Sequence, residues 1–154
     1  MKNVVLVALA TVALFSNAHA SHGNEVSLVV SQAFHTEFAD AQNVHWDSND
    51  DFAKASFTLN GENVYAYYNY DGSIVGSSKK IALNKLPEAA LRNFTKKYPF
   101  PIYNLKDCIE FTDADGETNY FISLDDIMSN KRIIIKISTD GNMYLFKKLS
   151  ITKR

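Results

Sequence analysis

The chain has 154 residues, 46% of them apolar, and a formal net charge of −1. That length suffices for one ordinary domain or two very small ones. The near-neutral balance excludes the strongly basic surface of a nucleic-acid or polyanion binder, and a single cysteine, Cys108, excludes an internal disulfide, so the apolar core must hold the fold.

Residues 1–20 read as a secretory leader rather than as part of the fold. Lys2 supplies the positive start, Val4 to Phe15 the apolar run, and Ala18-His19-Ala20 an A-x-A cleavage site. The run is shorter than the roughly 20 residues a bilayer-spanning helix needs. Cleavage would leave 154 − 20 = 134 residues as a single domain, 21–154, in the periplasm or outside the cell, with no membrane anchor. Charge then divides unevenly, with 4 basic and 8 acidic groups over 21–86 against 11 and 9 over 87–154.

After the leader, Val26, Val30, Phe34 and Phe38 recur at four-residue steps, the spacing of a one-sided helix. Asn43-Val-His-Trp46 begins a first strand. In the second, 52–59, Ala53, Ala55, Phe57 and Leu59 alternate with Lys54, Ser56 and Thr58. Asn60-Gly61 predicts a tight hairpin into a third strand, 63–70, and Asp71-Gly72 a second hairpin into a fourth, from Ile74 to about Ile81. Leu86-Pro87-Glu88 then opens a second helix, with proline at its first position, and Pro99-Phe-Pro101 stops it. Strands are expected at about 102–112, 117–124, 132–139 and 142–149, with turns at Asp115-Gly116 and Asp140-Gly141.

The body is therefore written twice, as αββββ repeats over about 26–81 and 87–149. Each repeat carries an Asp-Gly hairpin and closes on a basic-apolar tail, Lys79-Lys80-Ile81 or Lys147-Lys148-Leu149. The expected class is α+β, an antiparallel sheet with its helices packed on one face. No Pro/Gly/Ser-rich linker divides the repeats, so one packed body is expected.

The ordered set Asn43-Val-x-Trp46, Ala55-x-Phe57, Asp71-Gly72, Leu86-Pro87, Lys97-Tyr98-Pro99, Asp115-Gly116, Tyr120 and Asp140-Gly141 resembles the PepSY-like proteins. These are small exported bacterial proteins whose fold looks like that of the β-lactamase-inhibitor protein (BLIP). The resemblance spans nearly the whole chain after the leader. It implies helix-plus-four-strand repeats, an exported location and no established enzymatic activity, and it transfers no catalytic residue.

The residues support the same expectation. His45 and Asp47 share a strand face as a solvent-facing pair, and no two histidines after the leader have metal-ligand spacing. Asp113-Ala-Asp115-Gly116-Glu117 fails as a calcium loop, because setting Gly116 at position six puts Phe111 at position one. No phosphate loop or nucleophile elbow occurs, and Cys108 in its alternating apolar stretch reads as a small buried hydrophobe. No cofactor, metal or nucleic acid is expected. What remains is a surplus of aromatics, because tyrosine on an open sheet face can bury its ring and keep a hydroxyl contact. Tyr65 and Tyr67 are the first choice for an exposed pair, with Tyr120 a further candidate. The resulting expectation is a non-enzymatic binding or inhibitory module that meets an envelope protein or peptide. The alternative is a small-ligand or envelope glycan/peptide binder with a cleft between the repeats.

Overall fold

A computed structural model describes residues 26–151; the expected leader lies outside the described residues. Two helices, α1 (Leu28–Glu37) and α2 (Glu88–Lys97), accompany eight strands: β1 (Gln42–Ser48), β2 (Ala53–Leu59), β3 (Glu62–Tyr68), β4 (Ile74–Lys80), β5 (Tyr103–Asp113), β6 (Thr118–Asp126), β7 (Lys131–Ser138) and β8 (Met143–Ser150). The strands form one antiparallel sheet in sequence order. The αββββ-αββββ reading holds, with one short 3-10 turn, Leu83–Lys85, that the sequence does not announce. The chain forms two compact units. The first takes α1, β1–β3 and β4 as far as Lys79, together with the β5–β6 hairpin tip, 112–117; the second takes α2 and the rest of β5–β8.

In the first unit, Ser27 caps α1, its hydroxyl accepting from the Val30 N–H at 3.4 Å. The helix lowers Val30 and Phe34 onto Ala53, Ala55, Phe57, Val64, Ala66 and Tyr68. Phe34 is the hub: its ring lies edge-on to Phe57 at 5.0 Å and to Trp46 at 5.3 Å. Ala53, Ala55 and Ala66 are fully buried in this cluster, and the rings of Trp46, Phe57 and Tyr68 surround Phe34. In the second unit, Pro87 occupies the cap position just before Glu88 rather than the first helical residue. Ala90 and Phe94 pack on Cys108 and on a paired isoleucine ladder, Tyr120 opposite Ile137, Ile122 opposite Ile135 and Leu124 opposite Ile133. Each such fully buried aliphatic side chain contributes about 1.5–3 kcal/mol of transfer free energy.

Two of the three Asp-Gly turns do more than turn the chain. Gly72 and Gly141 have φ of 89° and 88°, the left-handed region that glycine reaches without penalty. Each also abuts the second residue of its unit's helix: a Cβ at Gly72 would lie 2.7 Å from Val29 Cγ1, and one at Gly141 would lie 2.9 Å from the Ala89 carbonyl oxygen. The Asn93 side chain ties the latter contact by donating to the Gly141 carbonyl at 3.1 Å. The duplication thus extends to a shared device, a hairpin turn seated against the first turn of a helix.

Candidate functional site

On the face of β1–β3 away from α1, the alternate residues line up in rows. His45 pairs with Ser56 and Ser56 with Tyr65, while Thr58 pairs with Asn63 one step along. β1 carries an irregularity between Gln42 and His45, where Asn43 takes φ of 53°. Asparagine tolerates that conformation better than most side chains, and the bulge brings Asn43 to the same depression. The result is an open cleft of about 310 Å³ lined by Asn43, His45, Ser56, Thr58, Asn63 and Tyr65, with Phe57 and Val64 completing it. Its functional groups are two amides, three hydroxyls and an imidazole, so donors and acceptors alternate without a carboxylate or an ammonium among them.

The neighbouring row lies next along the same strands, outside the cleft lining. Asp47 pairs with Lys54, whose ammonium meets the Asp47 carboxylate at 3.1 Å, and Lys54 pairs with Tyr67. Tyr67 is 1% exposed, its ring edge-on to Phe52 at 5.7 Å and its hydroxyl 3.2 Å from Ser78 Oγ. Burial pushes its phenol up to about 12, partly countered by the Ser78 hydrogen bond. Tyr67 therefore does not form an exposed pair with Tyr65. The two share a face, but Tyr67 faces Gly76 across the strand pair and is enclosed beside Phe52, whereas Tyr65 lies half-buried beside Ser56 at the cleft. Tyr120 is likewise not presented: it is 6% exposed and belongs to the core beneath α2. Of the three tyrosines the sequence singles out, only Tyr65 lines the cleft.

The other sequence candidates behave as ordinary structure. Cys108 is buried, and burial with the nearby Glu110 and Asp107 carboxylates raises its thiol to about 12, far from a nucleophile's range. Asn49, in the acidic turn before β2, accepts from the backbone N–H groups of Asp51 and Phe52. Among the described residues no three His, Cys, Asp or Glu side chains are grouped to hold a metal ion. Asn43, Thr58 and Asn63 were not recognisable as site residues beforehand. Their signal was the polar parity opposite Ala55, Phe57 and Val64, which marks a face without marking a concavity.

This architecture has counterparts among solved structures. A BLIP-like protein from Bacteroides fragilis superposes with a TM-score of 0.73 at 14% identity, over 84% of this chain and 91% of that one. The fold is BLIP-like. A DUF2874 family protein from Bacteroides ovatus gives a TM-score of 0.71 at 17% identity, over 82% and 88% of the two chains. A candidate periplasmic protein from Bacteroides eggerthii gives 0.72 at 15%, over 84% and 91%. No protein-family model and no curated protein matches the chain. At these identities the BLIP-like likeness is one of fold. No described helix is long and apolar enough to cross a membrane.

Proposed function

We propose that this chain is a non-catalytic, exported binding or inhibitory module that offers the polar face of its first unit, centred on Tyr65, to an envelope protein or peptide. The observation that carries this reading is the open cleft between Asn43, His45, Ser56, Thr58, Asn63 and Tyr65, which has no carboxylate or ammonium group in its lining. Alternating amide and hydroxyl groups can satisfy a partner's backbone N–H and C=O groups, while the Tyr65 ring supplies apolar area at little entropic cost. Export is supported by the leader pattern of residues 1–20 and by the likeness to a candidate periplasmic protein. The PepSY-like resemblance of the turn and anchor motifs agrees with it.

The test places a photo-crosslinking amino acid at position 58 in cells expressing the protein. A discrete crosslinked partner is expected, lost on Tyr65→Ala while the circular dichroism spectrum is retained. No crosslink, or one indifferent to Tyr65→Ala, sinks the proposal. A second reading draws on the same volume and lining: a cleft of this size suits a short glycan or peptide fragment, held within the first unit rather than between the repeats. Titration with envelope glycan fragments, followed by amide chemical shifts at Thr58 and Asn63, separates it from protein capture.

A further inference from the structure

Among the described residues, five of the ten exposed large apolar side chains gather at one end of the second unit. Phe100 is 81% exposed and Met128 84%, with Ile102, Leu105 and Ile127 between 44% and 55%. Phe100 and Ile102 come from the connection between α2 and β5, Ile127 and Met128 from the one between β6 and β7, and Leu105 from the start of β5. The Ile127 N–H donates to the Ile102 carbonyl at 3.2 Å and holds the two loops side by side. The second loop is braced by Asp126, which accepts from the Met128 and Ser129 N–H groups at 3.0 and 3.2 Å and leaves Met128 at the apex.

Exposed lysines bracket this tip. Lys96 and Lys97 end α2 immediately before the first loop, Lys131 opens β7 immediately after the second, and Lys148 lies opposite Ile133 on β8. The acids at this end are engaged within the protein. Asp107 pairs with Lys80, Asp125 with Arg132 at 2.7 Å and Lys106 at 3.6 Å, and Asp126 with the Ser129 hydroxyl at 2.6 Å. Protruding apolar side chains encircled by cations fit a bilayer boundary: the apolar groups enter roughly 5–10 Å, and the ammonium groups remain level with lipid phosphates.

We propose that this end of the second unit is a peripheral docking tip for a membrane surface rich in anionic phospholipid, with Phe100, Ile102, Ile127 and Met128 entering the headgroup region. This goes beyond the first-unit cleft and does not depend on it. Single side chains at the ends of loops suit insertion between lipids, whereas a protein interface favours a flatter apolar centre within a polar rim.

The protein purified from the envelope of an expressing bacterium is sedimented with vesicles of phosphatidylcholine containing about one-third phosphatidylglycerol, a lipid mixture that supplies the anionic surface charge invoked here. Binding is expected to the mixed vesicles and to fall at least about tenfold on pure phosphatidylcholine, on Met128→Asp and on Lys96→Glu with Lys97→Glu, as loss of an apolar anchor or of two surface cations would dictate. A Met128→Cys variant bearing an environment-sensitive fluorophore gives a second readout, since buried Cys108 leaves position 128 as the accessible thiol. Its emission should shift to the blue on mixed vesicles. Absence of binding, a probe that reports no change, or a self-association abolished by Met128→Asp without vesicle binding would each overturn the proposal, the last by making the tip an interface between copies.

Discussion

Replacing Gly141 by alanine tests the helix-seated turn directly. Two costs are imposed at once. An L-residue held at φ of 88° pays about 1–2 kcal/mol, less about 0.4–1 kcal/mol regained because alanine restricts the unfolded chain. The new Cβ would also stand 2.9 Å from the Ala89 carbonyl oxygen and 2.8 Å from Asn93 Nδ2. The carbonyl belongs to the first turn of α2 and cannot swing away, so the overlap adds the roughly 1–3 kcal/mol of a forced contact. Gly116 supplies the control. Its φ is 82°, but nothing lies within 4 Å of its notional Cβ, so only the backbone cost applies. The expected loss is about 2–4 kcal/mol for Gly141→Ala and about 0.5–1 kcal/mol for Gly116→Ala. At this chain length about 1 kcal/mol moves Tm by 3–4 °C, so the two melts should separate by at least ~3 °C. Gly72→Ala belongs between them, because its tightest neighbour, Val29 Cγ1, is a half-exposed side chain that can rotate. The measurement is thermal unfolding by circular dichroism with calorimetric confirmation. Equal shifts for Gly141→Ala and Gly116→Ala would refute the close approach of turn and helix.

Two further outcomes follow from side chains in the cores and at their edges. Tyr68 is fully buried among Phe34 and Trp46, and its hydroxyl has no hydrogen-bond partner among the described residues; burial, with the Glu37 carboxylate, raises its phenol. Tyr68→Phe should therefore leave stability unchanged or raise it by about 1 kcal/mol, read from urea denaturation, and a loss above about 1 kcal/mol would show that the hydroxyl is satisfied after all. Asp125 is held below the usual carboxylate range by its hydrogen bond from Arg132, helped by the charges of Arg132 and Lys106. A depressed folded-state pKa means the stabilisation is fully present above the unfolded value near 3.9 and is lost as pH falls through the folded value. Asp125→Asn should cost about 1 kcal/mol at pH 7, with the gap to the parent closing below about pH 4; a gap that persists at pH 2 would show that the ion pair is not its source.

The doubled plan was legible because its punctuation is chemical. Asn60-Gly61 and the Asp-Gly pairs demand left-handed backbone, and the structure places Asn60, Gly61, Gly72, Gly116 and Gly141 there. What alternation could not supply was depth. Tyr65 and Tyr67 have the same parity, yet one lines a cleft and the other is enclosed by Phe52 and Ser78, side chains distant in sequence. Nor could it announce a slip in register. β8 reads as apolar on both faces, and the structure resolves this with a bulge: Ile135 pairs with Leu145 and Ile134 with Lys147, so Phe146 falls out of the ladder and lies edge-on to Phe121 at 5.1 Å. Tyr70 has the parity of buried Val64, Ala66 and Tyr68 but is exposed. It stands beyond the end of β3, and its hydroxyl reaches back to the Asn49 carbonyl instead of continuing the buried row.

The same logic locates where the repeats were free to differ. In each unit the helix-facing parity is committed to packing, and the Asp-Gly turn to its helix, so a change there costs stability. The opposite parity is packed in part, through Tyr67, Phe111, Phe121 and Ile134, and only its exposed positions and the strand-end loops are free of that constraint. In the first unit that freedom holds the amide, hydroxyl and imidazole groups around Tyr65. In the second it holds Phe100, Ile127 and Met128 among lysines. Substitutions at Thr58 or Asn63, or at Met128, should thus change what the protein binds while moving Tm by less than about 2 °C, the range of surface positions away from caps and cores. The scaffold and its recognition surfaces are separable because the cleft residues and the strand-end loops lie outside the two packed clusters beneath the helices.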